Sequence, residues 1–311
     1  MARSSTESSR RGRARTLPPR GCAGATLVVR SVASQEIFVP ETDRELLEAV
    51  RGGDRRALEQ LLARHQGEIY RFGARMCRDD EDAKDVLQET MIAAARTMPE
   101  FRGASALSTW LYAIARSFCL KKRRTSKFAP ERIDSLEAHA SQASEIADDR
   151  RTPEEDAVGR QLQSAVQAAI AELDPMYREV IALRDIEGLS AAEVAEVTGI
   201  SVEAVKSRLH RARTAVRERI APLLEPPGDN VAKPGCQDVA QAFSRRLEGD
   251  IDGGACAALE EHLSRCAPCR GECQTLRTTL ALCKRAGAAP VPADVERQVR
   301  KALHRFVENQ G

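Results

Sequence analysis

The stretch from Leu189 to Arg219, LSAAEVAEVTGISVEAVKSRLHRARTAVRER, constrains the fold of this chain more than any other segment. Ser190 is followed three residues later by Glu193, a capping box that predicts the start of a helix. Gly199 ends this helix, because glycine adopts a left-handed turn without steric cost, and Ser201 caps a second helix. Two helices joined by so short a turn predict a helix-turn-helix, whose second helix normally enters the DNA major groove.

The charge of the second helix supports DNA binding. Six basic residues outnumber two acidic ones, namely Lys206, Arg208, Arg211, Arg213, Arg217 and Arg219 against Glu203 and Glu218. A basic face of this kind is attracted to the phosphates of duplex DNA. The same charges would also occur on the solvated face of an ordinary helical hairpin, so this stretch favours DNA binding without proving it.

Hydrophobic residues recur at helical spacing along most of the remaining chain. Such stripes run from residue 42 to 124, from 157 to 186 and from 295 to 307. Of the 311 residues, 30% are charged and only 4% are aromatic, which favours several small helical bundles over one large core. The predicted fold is therefore all-α, with two small helical domains joined by a flexible linker and a small helical C-terminal domain.

Charge and composition change sharply along the chain and predict the domain boundaries. Residues 1–40 contain seven Arg and two Glu, whereas residues 125–159 contain nine acids and four bases. Polar, acidic segments with few apolar residues are typical of tethers. The predicted units are a disordered basic tail (1–40), a first helical domain (41–127), an acidic linker (128–157), the helix-turn-helix domain (158–224), a Pro/Gly-rich linker (225–235), a metal-binding domain (236–285) and an amphipathic C-terminal helix (286–311).

The end of the first helical domain is strongly basic. Residues 116–127 contain six bases and no acid, a density that is unfavourable unless an anion lies nearby. Phe101 and Arg102 precede this segment in a loop, and aromatic and guanidinium planes can stack on the bases of single-stranded DNA. Trp110 and Phe118, by contrast, are more typical of a helical core.

The lack of long apolar segments predicts the compartment of this protein, and the compartment in turn bears on the chemistry of its cysteines. No segment approaches the length of a membrane span, and the N-terminus has no apolar core of signal-peptide length. These features predict a cytoplasmic protein that does not interact with membranes. Six of the nine cysteines follow residue 235, and in a reducing compartment such clustering favours metal or redox chemistry over disulfides.

The spacing of these cysteines predicts a zinc site. His262 and Cys266 lie four residues apart at a predicted helix end, Cys266 and Cys269 form a CxxC pair, and Cys236 could complete a tetrahedral Cys₃His set. The alternative is a small bundle with incidental cysteines. Three further thiols, at Cys273, Cys256 and Cys283, are candidate additional ligands. They could make the domain a metal or redox sensor, or they could simply be small apolar residues around a structural zinc.

Two motifs and the cysteine cluster carry a family resemblance. AKDVLQETM followed by FRGASALSTWLYAIARSFC resembles region 2 of the extracytoplasmic-function sigma factors of bacterial RNA polymerase. LDPMYREVIALRDIEGLSAAEVAEVTGISVEAVKSRLHRAR resembles their region 4. The two motifs stand in the family's order and together cover residues 43–221. Residues 236–285 resemble a zinc-binding anti-sigma domain, which has the same HxxxCxxC core.

The resemblance implies a role for each motif. The acidic helix would dock on the clamp coiled coil of the polymerase through Asp82, Asp85, Gln88 and Glu89. The flap of the polymerase is a further partner that the resemblance implies. The loop 100–108 and the basic helix would hold the melted −10 element through Phe101, Arg102, Ser105, Arg116, Lys121, Lys122, Arg123 and Arg124. The second helix of the helix-turn-helix would read the −35 element through Ser201, Glu203, Ala204, Lys206, Ser207, Arg208, His210, Arg211 and Arg213.

The chain departs from the family pattern at three positions. Lys84 stands where an acid is usual, Met91 where Phe is common and Ser117 where Asn is common. The prediction is an alternative sigma factor without catalysis of its own, which binds core polymerase and promoter DNA. A fused Cys/His domain would regulate it in cis through a metal or redox signal, by contact with the sigma domains. The alternative is a helix-turn-helix regulator that acts without core polymerase and carries a structural zinc domain.

Overall fold

The computed structural model describes residues 41–77, 79–126, 153–224, 236, 238–286 and 291–308. The predicted basic tail and most of the two predicted linkers lie outside these residues. Every regular element in the described ranges is helical, which confirms the predicted all-α fold. Within these ranges, none of the helices combines the length and the apolar character needed to cross a bilayer.

The first bundle consists of four helices packed around a fully buried apolar core. Asp54 and Asp79 cap the second and third helices by accepting hydrogen bonds from main-chain amides. These two helices approach closely at Gly73, where a Cβ atom would lie 3.4 Å from the carbonyl oxygen of Ala83. The helices are α1 (Glu41–Arg51), α2 (Arg55–Met76), α3 (Asp80–Thr97) and α4 (Leu107–Ser126), with a 3-10 turn at Met98–Glu100.

The second bundle contains the predicted helix-turn-helix. The Ser190 amide donates to Glu193 Oε2 at 2.7 Å and the Glu193 amide donates to Ser190 Oγ at 3.2 Å, so the capping box is complete. Gly199 ends the first of the two helices with a φ of 69°. The helices are α5 (Pro153–Ala171), α6 (Pro175–Ile181), which continues as a π-helical turn at Ala182–Ile186, α7 (Ala191–Thr198) and α8 (Val202–Leu224).

The start of α5 differs from the predicted boundary. The acidic linker was expected to extend to residue 157, whereas α5 begins at Pro153. Proline is favoured in the first turn of a helix, because its missing N–H would have no intrahelical partner there. The last residues of the predicted linker are therefore a helix start.

The C-terminal domain contains four helices. Three of them surround a small core of their own that includes Val239, Phe243, Leu259, Cys269 and Leu276. The fourth lies against the first bundle. The helices are α9 (Val239–Leu247), α10 (Gly253–Arg265), α11 (Ala267–Ala286) and α12 (Ala293–Glu308).

The two bundles do not form the separate small cores that the composition suggests. Their buried residues join in one continuous cluster, which Leu282 and Cys283 of α11 and Val295, Val299 and Leu303 of α12 complete. A bundle of only four helices leaves part of its apolar surface uncovered, and burying that surface against a neighbour is favourable. Consequently α11 packs on α5 and α8, and α12 packs on α2 and α3.

Candidate nucleic-acid interface and metal centre

The predicted −35 residues lie on α8, or directly before it in the case of Ser201, and differ widely in exposure. Ser201, Glu203, Ser207 and Arg211 are exposed, and the Arg211 guanidinium donates a hydrogen bond of 3.3 Å to the Tyr177 hydroxyl. Ala204, Lys206, Arg208 and His210 are partly exposed. The structure thus presents one stripe of the helix to solvent and turns another toward the C-terminal domain.

Arg213, also predicted to contact DNA, is buried, with only 2% of its surface exposed. Its Nε and Nη2 donate to the Asp185 carboxylate at 2.9 and 2.7 Å, and Nη1 donates to Ser244 Oγ at 2.8 Å. Nη2 also donates to Glu248 Oε1 at 2.7 Å. Burial disfavours the charge, but the two carboxylates outweigh it and raise the pKa of Arg213. In this conformation the guanidinium joins the second bundle to α9 and does not reach the surface.

Three more basic side chains of the second bundle face acids that flank α9. The Lys206 ammonium lies 2.6 Å from Asp250 Oδ1, and His210 Nε2 lies 3.9 Å from Asp238 Oδ2. Arg184 Nε donates to Glu248 Oε2 at 3.0 Å. The sequence analysis missed these acids, since they lie between 28 and 64 residues from their partners and no local spacing links them.

The predicted −10 residues are divided between the surface and internal contacts. Phe101 is 8% exposed and packs on Trp110 with ring centroids 5.0 Å apart, while Arg102 is exposed. Arg116 Nε donates to Glu179 Oε1 of the second bundle at 2.6 Å. The other residues are exposed or partly exposed, namely Ser105, Lys121, Lys122, Arg123 and Arg124.

The predicted polymerase-binding residues form an acidic face on α3. Asp85 and Gln88 are exposed, and Asp82 and Glu89 are partly exposed. Lys122 Nζ lies 2.6 Å from Asp85 and 3.1 Å from Asp82. Partial burial opposes its charge, but hydrogen bonds to these two acids raise the pKa of Lys122. Lys122, predicted to contact the −10 element, therefore pairs with the acids of its own bundle.

Buried polar contacts hold the two bundles together, and the sequence analysis did not identify them. The Glu187 carboxylate accepts hydrogen bonds from Arg71 at 3.1 Å, from Arg75 at 3.0 Å and from the Tyr112 hydroxyl at 3.2 Å. Burial, followed by the Glu187 charge, raises the pKa of Tyr112 well above its usual value. The tyrosine therefore stays a hydrogen-bond donor across the physiological range.

The four predicted metal ligands converge. One ligand atom from each of Cys236, His262, Cys266 and Cys269 lies within 4.8 Å of the others, and the Cys236 and Cys266 sulfurs are 3.9 Å apart. Tetrahedral zinc–thiolate bonds place two sulfurs about 3.8 Å apart. The buried Nε2 of His262 has no hydrogen-bond partner in the described residues. The donor set, its spacing and this unpartnered nitrogen fit a zinc ion.

Ionisation of the Cys269 thiol is unfavourable without a cation. Burial, together with hydrogen bonds that the Cys269 thiol donates to the Cys266 and Cys236 sulfurs, raises the pKa of Cys269 to about 12. A bound divalent cation reverses this effect, because it stabilises the thiolate. The cluster therefore has the chemistry of a metal site rather than that of a reactive thiol.

The three additional candidate ligands lie outside this cluster. Cys273 belongs to the small core of α9–α11, and Cys283 is buried in the shared core. Burial raises the pKa of Cys273 and raises that of Cys283 to about 12. Cys256 is buried in α10. Buried thiols with raised pKa values are poor nucleophiles, so Cys273 and Cys283 act as small apolar residues here.

Three family models match the chain in sequence order. The Sigma-70 region 2 model matches residues 61–129, the Sigma-70 region 4 model matches residues 163–216, and a zinc-finger model matches residues 236–270. The first two fall on the first and second bundles. The third covers all four residues of the metal cluster.

Curated relatives match over nearly their whole length. An RNA polymerase sigma-H factor of Pseudomonas aeruginosa is 33% identical over 190 residues, which cover 98% of that protein and 60% of this chain. An ECF RNA polymerase sigma-E factor of Haemophilus influenzae is 34% identical over 185 residues, covering 97% of that protein and 59% of this chain. The solved structure of CnrH in complex with the cytosolic domain of CnrY is 26% identical, covers 98% of that chain and 58% of this one, and has a TM-score of 0.43.

Proposed function

Because the chain belongs to the ECF RNA polymerase sigma factors, we propose that it directs core polymerase to promoters with −35 and −10 elements and assists their opening. The acidic face of α3, formed by Asp82, Asp85, Gln88 and Glu89, is the proposed contact with the polymerase clamp. Its exposure supports this role, since Asp85 and Gln88 reach solvent. The polymerase performs the chemistry in the cytoplasm, and this chain supplies recognition.

The proposed −35 contacts are the exposed and partly exposed residues of α8. Ser207 and Arg211 lie four residues apart and both face solvent, as a recognition helix requires. For the −10 element, the exposed Arg102 and the basic end of α4 are the proposed contacts. Phe101 would have to leave its contact with Trp110 to stack on a base.

We further propose that the C-terminal domain regulates the sigma domains in cis. One observation carries this proposal, namely that α11 and α12 complete the same apolar core as the two bundles. Gln66 Nε2 also donates to Glu296 of α12 at 2.8 Å. A covalently attached partner acts at a high effective concentration. Since α11 carries the metal ligand Cys269, loss of zinc would weaken this packing.

Run-off transcription with core polymerase tests the proposal. The template carries a promoter obtained by selection or from upstream of the protein's own gene. Full-length protein, the Cys269→Ser variant and a chain ending at residue 228 are compared with and without a zinc chelator. We expect low initiation from the zinc-loaded full chain and higher initiation from the other two proteins and after chelation.

The remaining outcomes are equally informative. Equal initiation from all three proteins under both conditions would show that the zinc domain is structural and not regulatory. If none of the proteins binds core polymerase or initiates transcription, the proposed sigma activity itself is wrong.

A further inference from the structure

The acids at the two ends of α9 lie against one stripe of α8. Lys206, His210 and Arg213 follow one another at spacings of four and three residues, so they share one face of that helix. Asp250 faces Lys206 at 2.6 Å, Asp238 faces His210 at 3.9 Å, and Glu248 accepts from Arg213 at 2.7 Å. Helix α9 thus spans this stripe with a carboxylate at each end.

Glu248 is the most deeply buried of these acids. Its side chain is only 3% exposed, and its two oxygens accept from Arg213 and Arg184, both in the second bundle. Removing a carboxylate from water is costly unless it is paired, and here both partners belong to the domain on which α9 docks. The position of Glu248 at the end of α9 therefore depends on contact with α8.

We propose that α9 with its flanking acids is an internal phosphate mimic, in which Asp250 and Asp238 hold the Lys206 and His210 side chains that α8 would otherwise offer to the DNA backbone. Glu248 anchors the helix on the second bundle through Arg213 and Arg184. This inference rests on the proposed function of α8 as the promoter-reading helix. Carboxylate and phosphate oxygens are both anionic acceptors for the same ammonium and guanidinium groups. Lys206 and His210 cannot pair with α9 and with DNA at once, so α9 and DNA exclude each other on this stripe.

The metal centre is placed to control this contact. Cys236 stands two residues before Asp238, whose side chain caps α9 by accepting from the Gln241 amide. The other ligands lie at the end of α10 and the start of α11, so an ion held by all four fixes the N-terminal end of α9. Loss of the ion releases that end and favours exchange of α9 for DNA.

Fluorescence anisotropy with a labelled duplex of about 25 base pairs of arbitrary sequence tests the inference without polymerase. Zinc-loaded full-length protein is compared with the Glu248→Gln/Asp250→Asn variant at low salt. The matched control is Glu260→Gln/Glu261→Gln, which removes two acids of α10 that pair with Arg246 and Arg265 inside the C-terminal domain. We expect the first variant to bind about tenfold more tightly than wild type, and the control to bind like wild type.

Two further measurements test the inference without the buried Glu248 substitution. Asp250→Asn alone changes a surface side chain that is 36% exposed, so it leaves folding intact and raises affinity in the same direction by a smaller factor. Chelation of zinc from wild type raises duplex affinity as well. Equal affinity of the double variant, the single variant and the matched control would overturn the inference.

The test distinguishes this inference from the proposed function. If deletion of residues 229–311 activates transcription but the α9 variants bind duplex DNA like the control, regulation in cis stands and the phosphate mimic is wrong. If the variants bind duplex more tightly but no form of the protein initiates transcription, the mimic stands and the sigma activity is wrong.

Discussion

Arg116 and Glu179 join the two sigma domains through a hydrogen bond of 2.6 Å between Nε and Oε1. Glu179 is buried on α6 of the second bundle, which matches region 4. Arg116 lies on α4 of the first bundle, which matches region 2, and is one of the proposed −10 contacts. The same guanidinium cannot serve both partners. Engagement of the −10 element through Arg116 therefore requires this pair to separate.

Glu179→Gln is expected to loosen the contact between the two domains. The neutral amide keeps the shape of the side chain but loses the charge-assisted hydrogen bond, which lowers the free energy of unfolding by about 1–2 kcal/mol. Urea unfolding followed by circular dichroism measures this change. The control is Glu172→Gln, which removes an exposed pair with Arg219 within the region 4 domain and should cost less than about 0.5 kcal/mol. Equal effects of both substitutions would contradict the prediction.

Arg213 and Arg211 are expected to have different roles although both were predicted to contact DNA. Arg213→Ala leaves the Asp185 and Glu248 carboxylates buried with a partner removed, which should cost about 3–5 kcal/mol. Arg211→Ala removes an exposed side chain and should change stability by less than about 0.5 kcal/mol. Urea unfolding and duplex anisotropy on both variants separate the roles. A stable Arg213→Ala protein with weakened DNA binding would contradict this prediction and show that Arg213 contacts DNA.

Cys269→Ala and Cys273→Ala are expected to differ in metal content. Cys269 belongs to the four-residue cluster, so its loss should abolish stoichiometric zinc binding. Because the free energy of zinc binding contributes to the folding of the α9–α11 unit, this unit should then unfold. Cys273→Ala should retain one zinc, because that thiol lies outside the four-residue cluster. Atomic absorption after gel filtration, with circular dichroism on the same samples, measures both effects. Retention of zinc by Cys269→Ala would exclude the Cys₃His assignment.

His65 is expected to make stability depend on pH. Burial opposes its charge, but the hydrogen bond with Glu68 and the charges of Glu68 and Asp43 raise its pKa in the folded state. This contribution is complete below about pH 6.5, the value in the unfolded chain, and is lost as the pH rises through the raised pKa. The free energy of unfolding of wild type should therefore fall as the pH rises from about 6.5 through the raised pKa of His65.

The matched variants for this prediction are His65→Asn and His304→Asn. His65→Asn removes the histidine that Asp43 and Glu68 hold, so it should flatten the pH dependence. His304 has a side chain that is 62% exposed, and its substitution should leave the slope unchanged. An unchanged slope in His65→Asn would show that other groups cause the pH dependence.

The local signals in the sequence determined the helices, the helix-turn-helix and the convergence of the four Cys and His side chains. The Ser190–Glu193 capping box and Gly199 act within one or two turns, and both appear in the structure as expected. The HxxxCxxC spacing places His262, Cys266 and Cys269 at one helix junction, where Cys236 joins them. These predictions succeed because the atoms concerned are held close together by short stretches of chain.

Only the tertiary structure decided how the three domains meet. Glu248 reaches Arg213 across 35 residues, Glu179 reaches Arg116 across 63, and Glu187 reaches Arg71 across 116. The hydrophobic pattern of the sequence does not predict such pairs, because they depend on how the uncovered apolar faces of small bundles pack together. The sequence by itself specified a basic second helix in the helix-turn-helix, and the packing of α9 decided which of its charges are paired or buried and which are exposed.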